Sequence, residues 1–116
     1  MFNVVKIGDK DVPMLAMAST DIYYKRVFGR DAIAAQADSK TDGELISFYG
    51  EMGFIMAQMA AANGDRAKLN ALNFDSYIEW LDSFEVSDYH MAITEIAKIY
   101  EGQKKATSSP KKEVAR

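Results

Sequence analysis

The sequence predicts a mostly helical α+β domain in which an N-terminal β-hairpin packs on a bundle of about four helices. Two observations predict this fold: β-branched and aromatic residues cluster at the start of the chain, and several later segments repeat apolar residues at helical spacing. A length of 116 residues, with 48% apolar and 27% charged residues, is typical of one globular domain. We expect this domain over residues 1–101, followed by a disordered basic tail over residues 102–116.

The hairpin is predicted from a strand-like run, a turn and a second run. Residues 2–7 are rich in Val, Ile and Phe, Gly8-Asp9-Lys10 is a turn sequence, and residues 12–18 are again apolar. Pro13 cannot donate a ladder hydrogen bond, so the second arm should be an edge strand or begin after Pro13. Because a two-stranded ribbon is only marginally stable alone, we expect the hairpin to lie on helices.

A short first helix follows, capped by Ser19 or Thr20 and ended by Gly29. Its inward face is expected to consist of Ile22, Tyr23 and Val27, and Phe28 should close the last turn. Residues 30–40 combine good helix formers with loop-forming residues. We expect a brief helical turn there and then an exposed connection.

The longest predicted helix reads DGELISFYGEMGFIMAQMAAA from Asp42 to Ala62 and starts at a Thr41 or Asp42 cap. Its apolar residues cover more of the surface than one amphipathic face requires, so the helix is either central in the domain or awaits a partner. Gly50 and Gly53 each cost roughly 1 kcal/mol against alanine in a helix interior. They indicate close approach of another backbone, from this domain or from a second subunit.

Three further elements are expected after the turn at Asn63-Gly64-Asp65. A helical turn should lie within residues 67–72, and Ser87 should cap the last helix, which Gly102 ends. Between them, residues 74–84 form the cleanest amphipathic pattern, with apolar positions Phe74, Tyr77, Ile78, Leu81 and Phe84. The buried face of the last helix is expected at Tyr89, Ile93, Ile96 and Tyr100, with Ala92 and Ala97 beside it.

The charge distribution argues against nucleic acid as the main partner. Residues 102–116 carry five basic residues and one acidic residue, whereas residues 1–101 carry 9 basic and 16 acidic residues, a net charge of −7. Neutralising phosphates requires basic clusters, which this acidic body lacks. The basic tail is either a solvated segment or a contact for RNA or an acidic protein surface.

Residues with catalytic potential are few. The chain has no cysteine, which excludes disulfides, thiolate metal sites and cysteine nucleophiles. His90 is the only histidine and lacks a second His or a nucleophile motif. The carboxylates Glu79, Asp82, Glu85 and Asp88 are spaced three apart, which fits either a metal or acid–base site or the solvated side of a helix. We expect the solvated side, no enzyme activity and no cofactor; a small enzyme or metal protein using His90 is a rival.

The candidate partner-binding residues lie mainly on the long helix. Methionine is unbranched and polarizable, a property used at promiscuous binding grooves, but it also fills gaps in ordinary cores. We expect a stripe through Leu45, Tyr49 and Met52 to be core. The candidate partner-binding residues are Phe48, Met52, Ile55, Met56, Met59 and Trp80.

The order of the segments resembles a known family. After the β-ribbon come YYKRVFGRD at residues 23–31, ELISFYGEMGFIMAQMA at residues 44–60 and YIEWLDSF at residues 77–84. In this order and spacing, the chain resembles the tail assembly chaperones of long-tailed bacteriophages and prophages of Gram-positive bacteria. The likeness covers residues 1–101 and contains no catalytic signature.

The resemblance implies a non-enzymatic function. Such a chaperone binds the aggregation-prone tape measure protein, keeps it soluble, helps recruit tail tube subunits and is absent from the mature virion. The implied location is the host cytoplasm, which agrees with the lack of a recognisable signal peptide or membrane span. Self-association is a further expected property, and a longer product made by ribosomal frameshifting is known for many members. The alternative is a structural tail completion or connector protein of the virion.

Overall fold

The computed structural model describes the backbone of residues 2–114 and the side chains of residues 2–102. Within these residues, two strands precede six helices, and the predicted α+β, mostly helical class with an N-terminal hairpin is confirmed. The elements are β1 Phe2–Ile7, β2 Lys10–Leu15, α1 Thr20–Phe28, α2 Ala32–Asp38, α3 Asp42–Ala62, α4 Arg66–Asn70, α5 Phe74–Leu81 and α6 Val86–Val114.

The hairpin is antiparallel and pairs Phe2 with Leu15 at its open end and Ile7 with Lys10 at its turn. Gly8 has a φ of 66°, the left-handed backbone that a two-residue hairpin turn requires. Alternate residues point to one face, where Val5, Ile7 and Met14 are buried. This face packs on α3 and α6, as the instability of an isolated ribbon predicts.

Helix α1 ends at Gly29 as predicted, with a left-handed φ of 73°. Its inward face differs from the prediction. Tyr24 and Thr20 are buried, whereas Ile22 is 62% exposed, and Tyr23, Val27 and Phe28 are half-buried. The reason is the rotation of the helix, which turns the Tyr24 ring onto Phe48 of α3 at 5.6 Å between centroids.

The start of α1 lacks the side-chain cap that the sequence predicts at Ser19 or Thr20. Ser19 holds the N-cap position without a side-chain hydrogen bond. The buried Thr20 hydroxyl instead accepts from the Met17 amide at 2.8 Å and donates to the Met59 sulfur at 3.1 Å. Thr20 therefore joins α1 to α3 rather than capping its own helix.

Helix α3 runs through the centre of the domain. Thr41 and Glu44 form a capping box at its start, and Asn63, with a left-handed φ of 49°, ends it. Bonds from the Lys40 and Thr41 amides lower the pKa of the Glu44 carboxyl. Ten of the 21 residues of α3 are buried, because the hairpin, α1 and α6 surround it. The excess of apolar surface in the sequence thus reflects a central helix.

The second half of the chain follows the predicted order, with differences in α5 and at both ends of α6. In α5 Tyr77 is buried, but Phe74 is 54% exposed and Ile78 also faces solvent. In α6 the predicted residues Ala92, Ile93, Ile96 and Tyr100 are buried, whereas Tyr89 and Ala97 are half-buried and Ile99 is buried in addition. The helix begins at Val86, one residue before the predicted Ser87 cap, and continues to Val114, past the end predicted at Gly102. The predicted disordered tail falls on residues outside those whose side chains are described.

Side-chain hydrogen bonds join the helices around the core. Tyr24 and Arg30 both donate to Glu51, at 2.6 and 2.7 Å, and Tyr100 donates to Asp21 at 2.8 Å. Burial, and next the hydrogen bond to Glu51, raise the pKa of the Tyr24 phenol, because its ionised form would lie unsolvated beside the Glu51 carboxylate. Across the described residues, no helix combines the length and apolarity that crossing a membrane requires.

Gly50 and Gly53 form the contact of α3 with α6. A Cβ at Gly50 would lie 1.7 Å from the Tyr89 hydroxyl, and one at Gly53 would lie 3.0 Å from Cδ1 of Ile96. The Tyr89 hydroxyl donates to the Ile46 carbonyl at 3.2 Å. The glycines therefore admit side chains of α6 within the same domain, rather than another backbone or a second subunit.

Replacing Gly50 by alanine should test this contact. We expect Gly50→Ala to destabilise the domain by roughly 1–3 kcal/mol, because the Tyr89 ring must move out of the core. Gly43→Ala is the matched control, since the nearest side-chain atom to its Cβ is 4.0 Å away. It should stabilise α3 by up to about 1 kcal/mol. Urea unfolding followed by circular dichroism measures both, and equal stability of Gly50→Ala and the wild type would contradict the assignment.

Candidate functional site

Five of the six candidate partner-binding residues lie in the core. Their side chains are 0–4% exposed, in a helix that packs against the hairpin, α1 and α6. The prediction that they present a binding face is therefore wrong for this fold, because a central helix has no free side there. The five are Phe48, Met52, Ile55, Met56 and Met59. The expected core stripe is confirmed at Met52, whereas Leu45 and Tyr49 are half-buried.

Trp80 is the candidate that lies at the surface, on α5. It is half-buried, with its ring 5.0 Å from that of Phe84 in an edge-to-face arrangement and 5.8 Å from that of Phe54. Phe54 is buried, so one side of the indole packs on the core. The rest of the ring lines a surface groove between α3, α5 and β2.

This concavity, here called the Trp80 groove, has a volume of about 540 Å³. Its floor is the alanine-rich end of α3, where Ala57, Ala60 and Ala61 leave room above the helix. Aromatic side chains form one wall and β2 forms the other. The complete lining is Lys10, Asp11, Val12, Pro13, Ala57, Gln58, Ala60, Ala61, Trp80, Ser83 and Phe84.

The β2 wall of the Trp80 groove is poorly suited to extend the sheet. The two-residue turn makes Ile7 and Lys10 a hydrogen-bonded pair, so the alternation of the ladder makes Val4 and Pro13 a non-hydrogen-bonded pair. The missing N–H of Pro13 therefore lies on the free edge of β2, where a third strand would need a donor. The groove consequently favours an occupant other than a β-strand.

Lys10 fixes the hairpin turn to the end of α5. Its ammonium donates to the Ser83 carbonyl at 2.6 Å and lies 5.2 Å from the centroid of the Phe84 ring. This cation–π contact and hydrogen bond hold the two walls of the groove together. Because α5 is short and contacts α3 sparsely, Lys10 gives this side of the groove a defined position.

A second concavity, here called the acidic hollow, adjoins the Trp80 groove. It has a volume of about 230 Å³ and shares Lys10, Ser83 and Phe84 with the groove. Its other lining residues are Ile7, Asp9, Asp82, Glu85 and Asp88. The structure thus brings together three of the four carboxylates with regular spacing, adds Asp9 from the hairpin turn and leaves Glu79 outside.

The remaining residue with catalytic potential is exposed. His90 lies at the surface of α6 with its ring 5.6 Å from that of Tyr89. Over the part of the chain with described side chains, no three or more His, Cys, Asp or Glu residues are placed to hold a metal ion. The acidic hollow is therefore described by its charge and shape.

The sequence indicates the aromatic wall of the Trp80 groove but not its alanine floor or its β2 wall. Phe84 belongs to the apolar pattern of residues 74–84 and Trp80 is a candidate partner-binding residue, whereas Ala61 and Pro13 carry no such signal. Comparison with known proteins identified no relative, since no family model, no curated protein and no solved structure matches this chain. The function is therefore inferred from the groove and from the family resemblance.

The core position of Met56 can be tested directly. Met56 is fully buried, so Met56→Asp places an unpaired carboxylate in the core and should cost ~4 kcal/mol or more. Met91 is 80% exposed, and Met91→Asp should change stability by roughly 0.5 kcal/mol. Thermal unfolding by circular dichroism distinguishes them. If Met56→Asp were as stable as the Met91→Asp control, Met56 would not be a core residue.

Proposed function

We propose that this protein is a non-enzymatic tail assembly chaperone that binds the tape measure protein of a long-tailed phage or prophage and keeps it soluble. The observation that carries the proposal is the Trp80 groove, an apolar concavity on an otherwise acidic domain. The resemblance of residues 1–101 to this chaperone family suggests the tape measure protein as the partner. The proposed location is the host cytoplasm during assembly, with no copy in the mature virion.

The groove suits an apolar face of a helix. Alanines on the floor let a partner helix approach α3 closely, and Trp80 and Phe84 supply a large aromatic contact at one wall. Pro13 disfavours β-strand addition at the other wall. An amphipathic helix laid in a groove is a common mode of recognition and tolerates variation in the partner sequence.

The size of the groove indicates how such a chaperone acts. One groove of about 540 Å³ covers only a short stretch of a helix. Since one small contact is weak, a long partner is held by several chaperone molecules along its length. In this scheme, surfaces outside the groove remain available for tail tube subunits and for self-association between neighbouring chaperones.

Co-expression with the tape measure protein of the same phage or prophage tests the proposal. We expect the chaperone to raise the soluble fraction of the tape measure protein and to co-purify with it. Ala61→Arg places a long charged side chain across the groove and should abolish both effects. Ala37→Arg is the matched control, because Ala37 is an exposed helical alanine outside the groove. Loss of both effects in the two variants alike, or in neither, would contradict the groove as the binding site.

Two further measurements separate the chaperone from its rivals. Mass spectrometry of purified virions should find no copy of this protein, whereas a tail completion or connector protein would be present. His90→Ala should leave the solubilising effect unchanged, whereas an enzyme or metal protein that uses His90 would lose function. A long tape measure gene immediately downstream would further support the proposal.

A further inference from the structure

We infer that the Trp80 groove and the acidic hollow form one docking surface, specific for an amphipathic helix that carries Lys or Arg beside its apolar face. This inference rests on the proposed function and specifies the partner segment by its charge. A segment flanked by acidic residues, although equally apolar, should be rejected. The proposal follows from the continuity of the two concavities, from the charge of the hollow and from the shape of the groove.

The two concavities are continuous because three residues line both. Lys10, Ser83 and Phe84 form the ridge between them, with the Lys10 ammonium bonded to the Ser83 carbonyl at 2.6 Å. A helix that lies along the alanine floor and passes this ridge reaches the acidic hollow. Its apolar residues and its charged residues therefore meet different parts of one surface.

The hollow carries an excess of negative charge. Its four carboxylates are Asp9, Asp82, Glu85 and Asp88, and within residues 2–102 none of them forms an ion pair. One cation, Lys10, belongs to the lining, and its ammonium is held against Ser83 and the Phe84 ring. On the groove side, Asp11 is paired with Lys6 at 3.1 Å. Cations of a partner would therefore meet uncompensated carboxylates.

The chain's own basic segment does not fit this surface. Residues 103–116 contain five basic residues, but their only apolar residues are two alanines and one valine. Such a segment lacks the apolar stripe that the Trp80 groove would bury. An external helix with a wide apolar stripe and basic flanks satisfies both parts, so the occupant is a partner segment of that chemistry.

Trp80 is the only tryptophan and therefore reports on the groove by its fluorescence. The probes are two synthetic amphipathic peptides of about 18 residues without tryptophan. They share one leucine and alanine stripe and differ only in lysine or glutamate flanks. We expect the lysine peptide to shift the Trp80 emission and to bind roughly tenfold more tightly at low salt, with the difference shrinking at high salt.

Charge variants assign this preference to the hollow. The double variant Asp82→Asn/Glu85→Gln should remove most of the preference for lysine flanks. The matched control Asp75→Asn/Glu79→Gln removes the same charge from α5 outside the hollow and should keep the preference. Equal binding of the two peptides, no saturable change with the lysine peptide, or equal losses in both double variants would overturn the inference.

The outcome distinguishes this inference from the proposed function. If the lysine peptide is not preferred while the tape measure protein is still solubilised in a groove-dependent way, the charge requirement is wrong and the chaperone function stands. If the lysine peptide is preferred while the tape measure protein is not solubilised, the docking surface stands. The partner then belongs to another class of basic amphipathic protein.

Discussion

The close contact between α3 and α6 is the constraint on which the rest of the structure depends. Gly50 and Gly53 lack side chains at two positions one helical turn apart in this contact, and Tyr89 and Ile96 of α6 fill that space. The cost of glycine in a helix is offset by the burial of these large side chains. With α6 held on one side of α3, the inner face of the hairpin can rest on both helices.

The central position of α3 decides what its methionines do. Met52, Met56 and Met59 are buried in a helix that packs against a hairpin and several helices, and an unbranched side chain adapts to such mixed surroundings. Their polarizable sulfur also accepts a bond, as the Thr20 hydroxyl shows at Met59. Surface for a partner is consequently left at the periphery, in the groove between α3, α5 and β2.

The candidate site was only partly predictable because its walls come from distant segments. The periodicity of residues 74–84 identifies Phe84 as an apolar position beside Trp80, but not the groove that the two residues line. Pro13 and Ala61 are 48 residues apart in the chain and line the same groove. Likewise, regular spacing predicts a series of four carboxylates over residues 79–88. In the structure, Glu79 lies outside the acidic hollow and Asp9 of the hairpin turn lies within it.

The sequence alone determined the order of the elements and several of their ends, because hairpin turns, caps and apolar periodicity are local. Gly8, Gly29, Thr41 and Asn63 mark a turn and helix ends that the structure contains. The tertiary structure alone decided which apolar face is inside, as at Ile22 and Tyr24. A helix with apolar residues on most sides carries no local signal that identifies which elements will pack against it. Only packing in three dimensions buries its methionines and leaves a groove beside Trp80.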